Sequence, residues 1–240
     1  MVTWLVTVEQ ELGCFALAVV QAGAYISGSE CGLHRYLEMY QERRGELLEE
    51  YRNQVQKIDD YEWTVYTTWA MSFERLSPLA ARFLKICAFL HHDGISEAMF
   101  QNAASNLTSY VPHLSTTNHE SDSLSVAKEF LDSFRATGSS WDTQKFLKVV
   151  MEIRSYSLID FDPENRLYSV HPLVHAWTFT IISNGVLVRT CTQYILSMSC
   201  SLGEDSEDYT FRRTLLPHIN AALQGGTNVV VRRNPCQLTW

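Results

Sequence analysis

The spacing of the apolar residues changes from a helical to a strand period at one point in this chain of 240 residues. Before that point, apolar residues recur every three or four positions, as on one face of a helix. Residues 157–161 and 166–170 are instead short β-rich segments, and the four residues Asp162 to Asn165 between them suit a type I turn with proline second. A helical pattern resumes at His171. Helices followed by one hairpin and a further helix predict a winged helix.

Helical stripes account for most of the remaining chain, so the predicted fold class is mainly α. The apolar run at residues 12–26 has a stripe spaced four, three and four residues apart, which predicts a helix buried on most sides. Its members are Phe15, Val19, Ala22 and Ile26. Ser77 before Pro78 predicts a helix start, because serine caps and proline tolerates the first helical position. Residues 105–140 are rich in Ser, Thr, Asn, His and Asp, and look helical only over 124–134, so we expect an exposed insertion of low order.

Composition narrows the class of protein. The formal net charge of -8 argues against a nucleic-acid binder, which needs clustered lysine and arginine. The six cysteines include no CxxC pair, which is typical of reduced thiols in an intracellular protein. The N-terminus lacks the basic region of a signal peptide, and the first apolar run is too short to cross a bilayer. We therefore expect a cytoplasmic protein with protein partners or intramolecular domains as its contacts, and with no membrane contact.

No catalytic motif is present. The sequence has neither GxxxxGK[ST] nor GxSxG, and no cysteine has a recognisable catalytic context. His171 and His175 have the i, i+4 spacing of a metal pair, but no third ligand is apparent and HExxH is missing. His91-His92-Asp93 is better explained as the C-terminal cap of a helix. We predict no catalytic residue, no metal site and no enzymatic activity.

Three stretches in order carry a family resemblance: GCFALAVVQAGAYI from residue 13, TTWAMSFERLSPLAARFLKICAFL from residue 67, and YSLIDFDPENRLYSVHPLVHAW from residue 156. Together they resemble the NB-ARC region of STAND-class nucleotide-dependent switch proteins, particularly fungal members with tetratricopeptide repeats downstream. EDYTFRRTLLPHINAAL, from residue 207, resembles the connector before those repeats.

The resemblance implies that this chain supplies one side of a nucleotide-binding site. Gly13 to Leu17 stands where the family has a Gly-Leu-Pro-Leu motif that packs on adenine, with the proline missing; Gly13 and Phe15 are the positions carried over. Val170 to Val174 stands where the family has Met-His-Asp-Leu-Val. In that family the histidine contacts the β-phosphate of ADP, so His171 is the leading site residue. The family's P-loop domain has no counterpart here, so we expect no cofactor for the isolated chain, and ADP or ATP only in a complete parent protein.

The resemblance also implies a division into domains. Residues 1–56 correspond to a helical domain, residues 57–183 to a winged-helix domain with the insertion 105–140, and residues 184–240 to a helical connector. We expect a non-catalytic regulatory and signal-relay module that supports ADP-dependent autoinhibition together with a nucleotide-binding domain. Two alternatives stay open. One is a winged-helix DNA-binding regulator, and the other is a stand-alone protein-interaction module; oligomeric state is left open.

Overall fold

The fold is mainly α, as predicted: 69% of the described residues are helical, and these residues also form a small antiparallel sheet. The computed structural model describes residues 8, 10–51, 60–112, 117–136, 140–200, 203 and 205–224. The helices in this part of the chain are α1 (Ala16–Gly28), α2 (Leu33–Tyr51), α3 (Asp60–Glu74), α4 (Pro78–Cys87), α5 (Glu97–Ser105), α6 (Asn118–Asp132), α7 (Thr143–Ser155), α8 (Pro172–Thr180), α9 (Gly185–Ser199) and α10 (Ser206–Leu223). The strands are β1 (Asp160–Asp162) and β2 (Leu167–Ser169). None of the described helices combines the length and apolar character needed to cross a bilayer.

Contacts group the chain into two compact units. Unit 1 consists of Met1–Ala81 and Met151–Ile159, and unit 2 of Arg82–Val150 and Asp160–Trp240. These groups do not coincide with the predicted segments 1–56, 57–183 and 184–240, which stay a prediction about domains.

Unit 1 is built on the mutual packing of α1, α2 and α3. The buried stripe of α1 differs from the predicted one: it consists of Ala18, Gln21, Ala22 and Tyr25. Val19, predicted in the core, is 38% exposed. Gln21 occupies a core position because its side-chain Nε2 donates to the backbone carbonyl of Ser157 at 2.7 Å, which offsets the cost of burying an amide. The prediction of a helix is confirmed, whereas of the stripe predicted for its buried face only Ala22 is buried.

Unit 2 has an aromatic core supplied by several helices. Its fully buried phenylalanines are Phe83, Phe100, Phe130, Phe134 and Phe146. Their contacting rings have centroids 5.0 to 6.4 Å apart in tilted or edge-on arrangements, the geometries that aromatic pairs prefer. Helix α9 packs against α5, α6 and α10, and every residue from 191 to 199 is buried. The C-terminal helices therefore share the core of unit 2.

The predicted hairpin is confirmed. β1 and β2 are antiparallel, with Phe161 opposite Tyr168. The Asp162 side chain accepts from the backbone N–H of Glu164 at 2.9 Å and from Asn165 Nδ2 at 2.6 Å, which stabilises the tight turn that the proline predicted. On its other side Tyr168 exchanges two backbone hydrogen bonds with Ile95, of 3.0 and 2.7 Å. The residues just after α4 are thereby tied to β2.

Residues 105–140 contain the helix α6 over Asn118–Asp132, so the predicted helical stretch 124–134 is confirmed in part and the prediction of low order is wrong for residues 118–123. Residues 113–116 and 137–139 lie outside the described residues. Thr117 and Glu120 form a reciprocal capping box at the start of α6. The inner face of the helix buries Ala127, Phe130 and Leu131, and α6 packs against α5 and α9. The polar residues that lowered the predicted order include exposed positions such as Ser121. Because these exposed residues lie on the polar face of an amphipathic helix, the sequence pattern predicted only the later part of α6.

Candidate functional site

His171 lies at the junction between β2 and α8. Val170, immediately before it, is buried and donates its N–H to the His92 carbonyl at 2.7 Å. Pro172 occupies the first helical position, and the His171 Nδ1 accepts from the Leu173 N–H at 3.2 Å, so the histidine is the N-cap of α8. Val174 and Trp177 are buried and hold the helix in place. The imidazole itself is exposed on a fixed backbone.

This arrangement defines what the imidazole of His171 can do. Because Nδ1 accepts a backbone hydrogen bond, a neutral ring carries its proton on Nε2. Nε2 is then a donor at the N-terminal end of a nine-residue helix, where the helix dipole favours a negative charge. The position suits one hydrogen bond to an anionic oxygen. A complete phosphate site needs several convergent N–H donors.

Four further histidines meet close by in unit 2. His91 and His92 stack with centroids 4.5 Å apart, His92 meets the His175 ring at 6.2 Å, and His91 meets the His218 ring at 6.3 Å. The segment 91–94, helix α8 and helix α10 each contribute to this histidine cluster, which we define as His91, His92, His175 and His218. Together with His171, the cluster gathers five of the eight histidines of the chain.

Two members of the histidine cluster are anchored to backbone carbonyls. His175 Nε2 donates to the Leu90 carbonyl at 2.9 Å, and His218 Nε2 donates to the Gly94 carbonyl at 3.1 Å. Burial lowers the pKa of His175 below the usual histidine value, and the neighbouring His92 adds to that effect. Burial also lowers the pKa of His218 to about 4. Both imidazoles are therefore neutral at pH 7.

A cavity of about 360 Å³ opens beside the histidine cluster. Its lining includes His91, His92 and His175, together with Asn220 from α10 and Gln224 just after that helix. Among the described residues no three His, Cys, Asp or Glu side chains are placed to hold a metal ion. The remaining lining residues are apolar, so the cavity offers donors and acceptors of hydrogen bonds beside apolar surface, and no carboxylate.

The sequence predicted neither His218 nor the clustering. Its interpretation of His91-His92-Asp93 as a helix cap is wrong, because α4 ends at Cys87 and the His92 carbonyl pairs with Val170. The adjacent pair His91 and His92 was the one sequence feature that could have indicated the histidine cluster.

Gly13 and Phe15 form a turn at the start of α1 in unit 1. Gly13 and Cys14 both have positive φ, at 62° and 57°, and Phe15 is the N-cap residue without a side-chain cap. The Phe15 ring lies over Gly13, so that a Cβ there would be 2.7 Å from Phe15 Cε2. The glycine thus serves a local turn. Its predicted contact with adenine stays a prediction, and Gly13 and Phe15 belong to a different unit from His171.

Comparisons with known proteins give one partial match. Residues 71–185 match the family described as "Domain of unknown function (DUF7779)". The matched segment contains α4 to α8 with the hairpin, and therefore His171 and three members of the histidine cluster. No curated protein and no solved structure matches the chain. The family description carries no function, so the resemblance to NB-ARC regions stays a prediction.

Proposed function

We propose that the chain is a non-catalytic regulatory module of a STAND-type switch, which stabilises an ADP-bound closed state together with a nucleotide-binding domain. The observation that carries the proposal is the exposed His171 imidazole at the N-cap of α8, with Nδ1 engaged and Nε2 left to donate. The fixed backbone lets this donor meet a phosphate oxygen with little ordering cost. The six cysteines, of which the five in the described residues are free thiols, fit our placing of the module in the cytoplasm.

A single imidazole supports recognition but not hydrolysis. Phosphoryl transfer depends on a cradle of backbone N–H groups, a lysine and a magnesium ion. His171 supplies one hydrogen bond, which is worth about 1 kcal/mol, or up to about 3 kcal/mol when charged. We therefore propose that His171 contacts the nucleotide held by the nucleotide-binding domain and distinguishes ADP from ATP, without taking part in hydrolysis. The helices beyond α8 then relay that state to further domains of the protein.

The proposal is tested by ADP-dependent association. The chain is titrated with ADP alone, and then with the P-loop domain of a STAND protein in the presence of ADP or ATP. We expect no micromolar binding of ADP to the chain alone, and association with the P-loop domain that is stronger with ADP. His171→Ala should weaken the association at least fivefold, whereas His119→Ala, an exposed histidine on α6, should not. Association that is indifferent to the nucleotide, or to His171, would contradict the proposal.

A second candidate is a protein-interaction module. It is favoured by the exposed apolar side of α1, where Val19 is 38% and Val20 58% exposed. Apolar residues grouped on one surface are common at protein interfaces. Val20→Asp would abolish binding of a protein partner at this surface and leave ADP-dependent association through His171 intact.

DNA binding has less support. Helix α7 would be the recognition helix of a DNA-binding winged helix, and it exposes three basic residues, Lys145, Lys148 and Arg154. The Lys145 ammonium, however, donates to the Arg135 carbonyl. Three basic side chains on one helix of a chain with net charge -8 fall short of the several phosphate contacts that drive binding to duplex DNA. A salt-dependent shift of duplex DNA at sub-micromolar protein would favour this alternative over the regulatory module.

A further inference from the structure

The histidine cluster joins three separate parts of unit 2, through side-chain hydrogen bonds of His175 and His218. His218 lies on α10 and is 1% exposed, and its Nε2 hydrogen bond to the Gly94 carbonyl links residues 124 positions apart. His175 on α8 makes the equivalent bond to the Leu90 carbonyl, 85 positions away. His91 and His92 lie between these anchors in the segment 90–94. Helix α10 is thus held to that segment by a ring whose neutral form fits the site.

Protonation of His218 would disturb this arrangement directly. Its Nδ1 is buried and has no hydrogen-bond partner among the described residues. A second proton would convert that nitrogen into a buried, charged donor without an acceptor, which is costly. The cost is relieved if α10 moves away and the ring is hydrated.

The charges around the histidine cluster oppose protonation on balance. His91 lowers the pKa of His218, while Asp93 and the hydrogen bond to Gly94 act in the opposite direction and are smaller than the effect of burial. For His175, burial again acts most strongly, and His92 and His91 both lower its pKa further. The Cys87 thiol below α8 stays neutral because burial raises its pKa. Asn220 of α10 and Gln224, just after that helix, face the cavity and carry no charge.

We propose that the histidine cluster is an acid-sensitive latch, which holds α10 against residues 90–94 when His218 and His175 are neutral and releases α10 when these two imidazoles gain protons. Elsewhere α10 is held by contacts that do not titrate: Leu215 and Ala222 are buried, and Gln193 Nε2 donates to the Ala222 carbonyl at 2.8 Å. The latch is independent of any nucleotide.

The direction and size of the effect follow from proton linkage. The pKa of His218 is about 4 with α10 in place, against an ordinary value of 6.5. The closed latch is fully favoured above pH 6.5 and loses stability as the pH falls toward 4, because the open form binds more protons. Between pH 7.5 and 5, His218 alone shifts the equilibrium toward release by roughly thirtyfold. His175 acts in the same direction.

Hydrogen exchange followed by mass spectrometry tests the latch on the full chain. Exchange of residues 206–224, corrected for the intrinsic effect of pH, should accelerate at least tenfold between pH 7.5 and 5. Residues 118–132 of α6 should keep their protection. Equal loss of protection in both segments would mean general unfolding and would overturn the proposal, as would constant protection of α10.

Substitutions identify the imidazoles responsible. His218→Gln keeps a donor for the Gly94 carbonyl but does not titrate, so the pH dependence of α10 should largely disappear. His119→Gln, at an exposed site on α6, should behave as the wild type. If His218→Gln fails to fold, His91→Gln removes a repulsive neighbour at a half-buried site and should move release to lower pH. A pH profile unchanged by a folded variant at either position would overturn the latch.

Discussion

The Glu152 carboxylate caps the start of α4 from a position 75 residues away. It accepts hydrogen bonds from the backbone N–H of Ser77 and, at 2.8 Å, from the Ser77 hydroxyl. The Ser77 hydroxyl in turn accepts from the Ala80 N–H at 3.3 Å. The prediction that Ser77 and Pro78 begin a helix is therefore confirmed. Because Ala80 stands where a capping box has Glu or Gln, the Glu152 carboxylate from α7 takes the place of that side chain.

Removal of this carboxylate should destabilise unit 1. Glu152→Ala leaves a backbone N–H and a hydroxyl without their charged acceptor, at a cost of about 2 kcal/mol. Urea unfolding followed by circular dichroism measures the change. Glu164→Ala in the exposed hairpin turn is the matched control, and we expect it to stay within about 0.5 kcal/mol of the wild type. Equal stability of the two variants would show that the cap contributes nothing.

The aromatic core of unit 2 should be sensitive to truncation at Phe146. This side chain is fully buried and contacts five rings: Phe83, Phe100, Phe134, Trp141 and Tyr168. Phe146→Ala should cost about 3 to 5 kcal/mol, because it opens a cavity that close neighbours cannot fill. Val111→Ala, at a residue 71% exposed, should cost less than about 0.5 kcal/mol in the same unfolding experiment. A loss below about 1 kcal/mol at Phe146 would mean that the core can repack.

The sequence predicted the helices and the hairpin better than it predicted the contacts between them. The hairpin and the start of α4 follow from turn and cap residues that act within four positions. In the sequence, Gln21 interrupts an apolar run, and nothing nearby indicates that it is buried. Its hydrogen-bond partner, the Ser157 carbonyl, lies 136 positions away. Helix α6 was predicted only from residue 124, because the polar composition of residues 118–123 was weighted above their place in the same helix.

The candidate site was predicted only in part for the same reason. His171 follows from a motif of five consecutive residues, and its exposed position suits the role that the resemblance implies. The histidine cluster depends on α10 folding back, so that His218 reaches Gly94 across 124 positions. Histidines have no periodic pattern that would reveal such a meeting. Side-chain clusters formed by tertiary packing leave little trace in the local sequence.

The thiols should differ sharply in reactivity. Cys14 is exposed, whereas Cys87 and Cys191 are buried. Burial raises the pKa of both buried thiols, that of Cys191 to about 12, so neither forms the reactive thiolate at pH 8. Iodoacetamide at pH 8 should therefore modify Cys14 in the folded chain, and Cys87 and Cys191 only after urea is added. Peptide mapping by mass spectrometry measures this, and early modification of Cys87 would contradict the described core.

Two glycines, Gly13 just before α1 and Gly23 in the middle of that helix, should respond to substitution by alanine in opposite directions. Gly13 has a φ of 62°, and an added Cβ would meet the Phe15 ring at 2.7 Å, so Gly13→Ala combines backbone strain with a clash. We expect a loss of about 1 to 3 kcal/mol. Gly23 lies within the helix with no atom within 4 Å of an added Cβ, and Gly23→Ala should stabilise the chain by about 0.5 to 1 kcal/mol. Thermal unfolding of both variants and the wild type shows whether each substitution raises or lowers the stability. If Gly13→Ala leaves the unfolding temperature unchanged, the turn does not need a glycine with positive φ, and the Phe15 ring can move aside for the added methyl group.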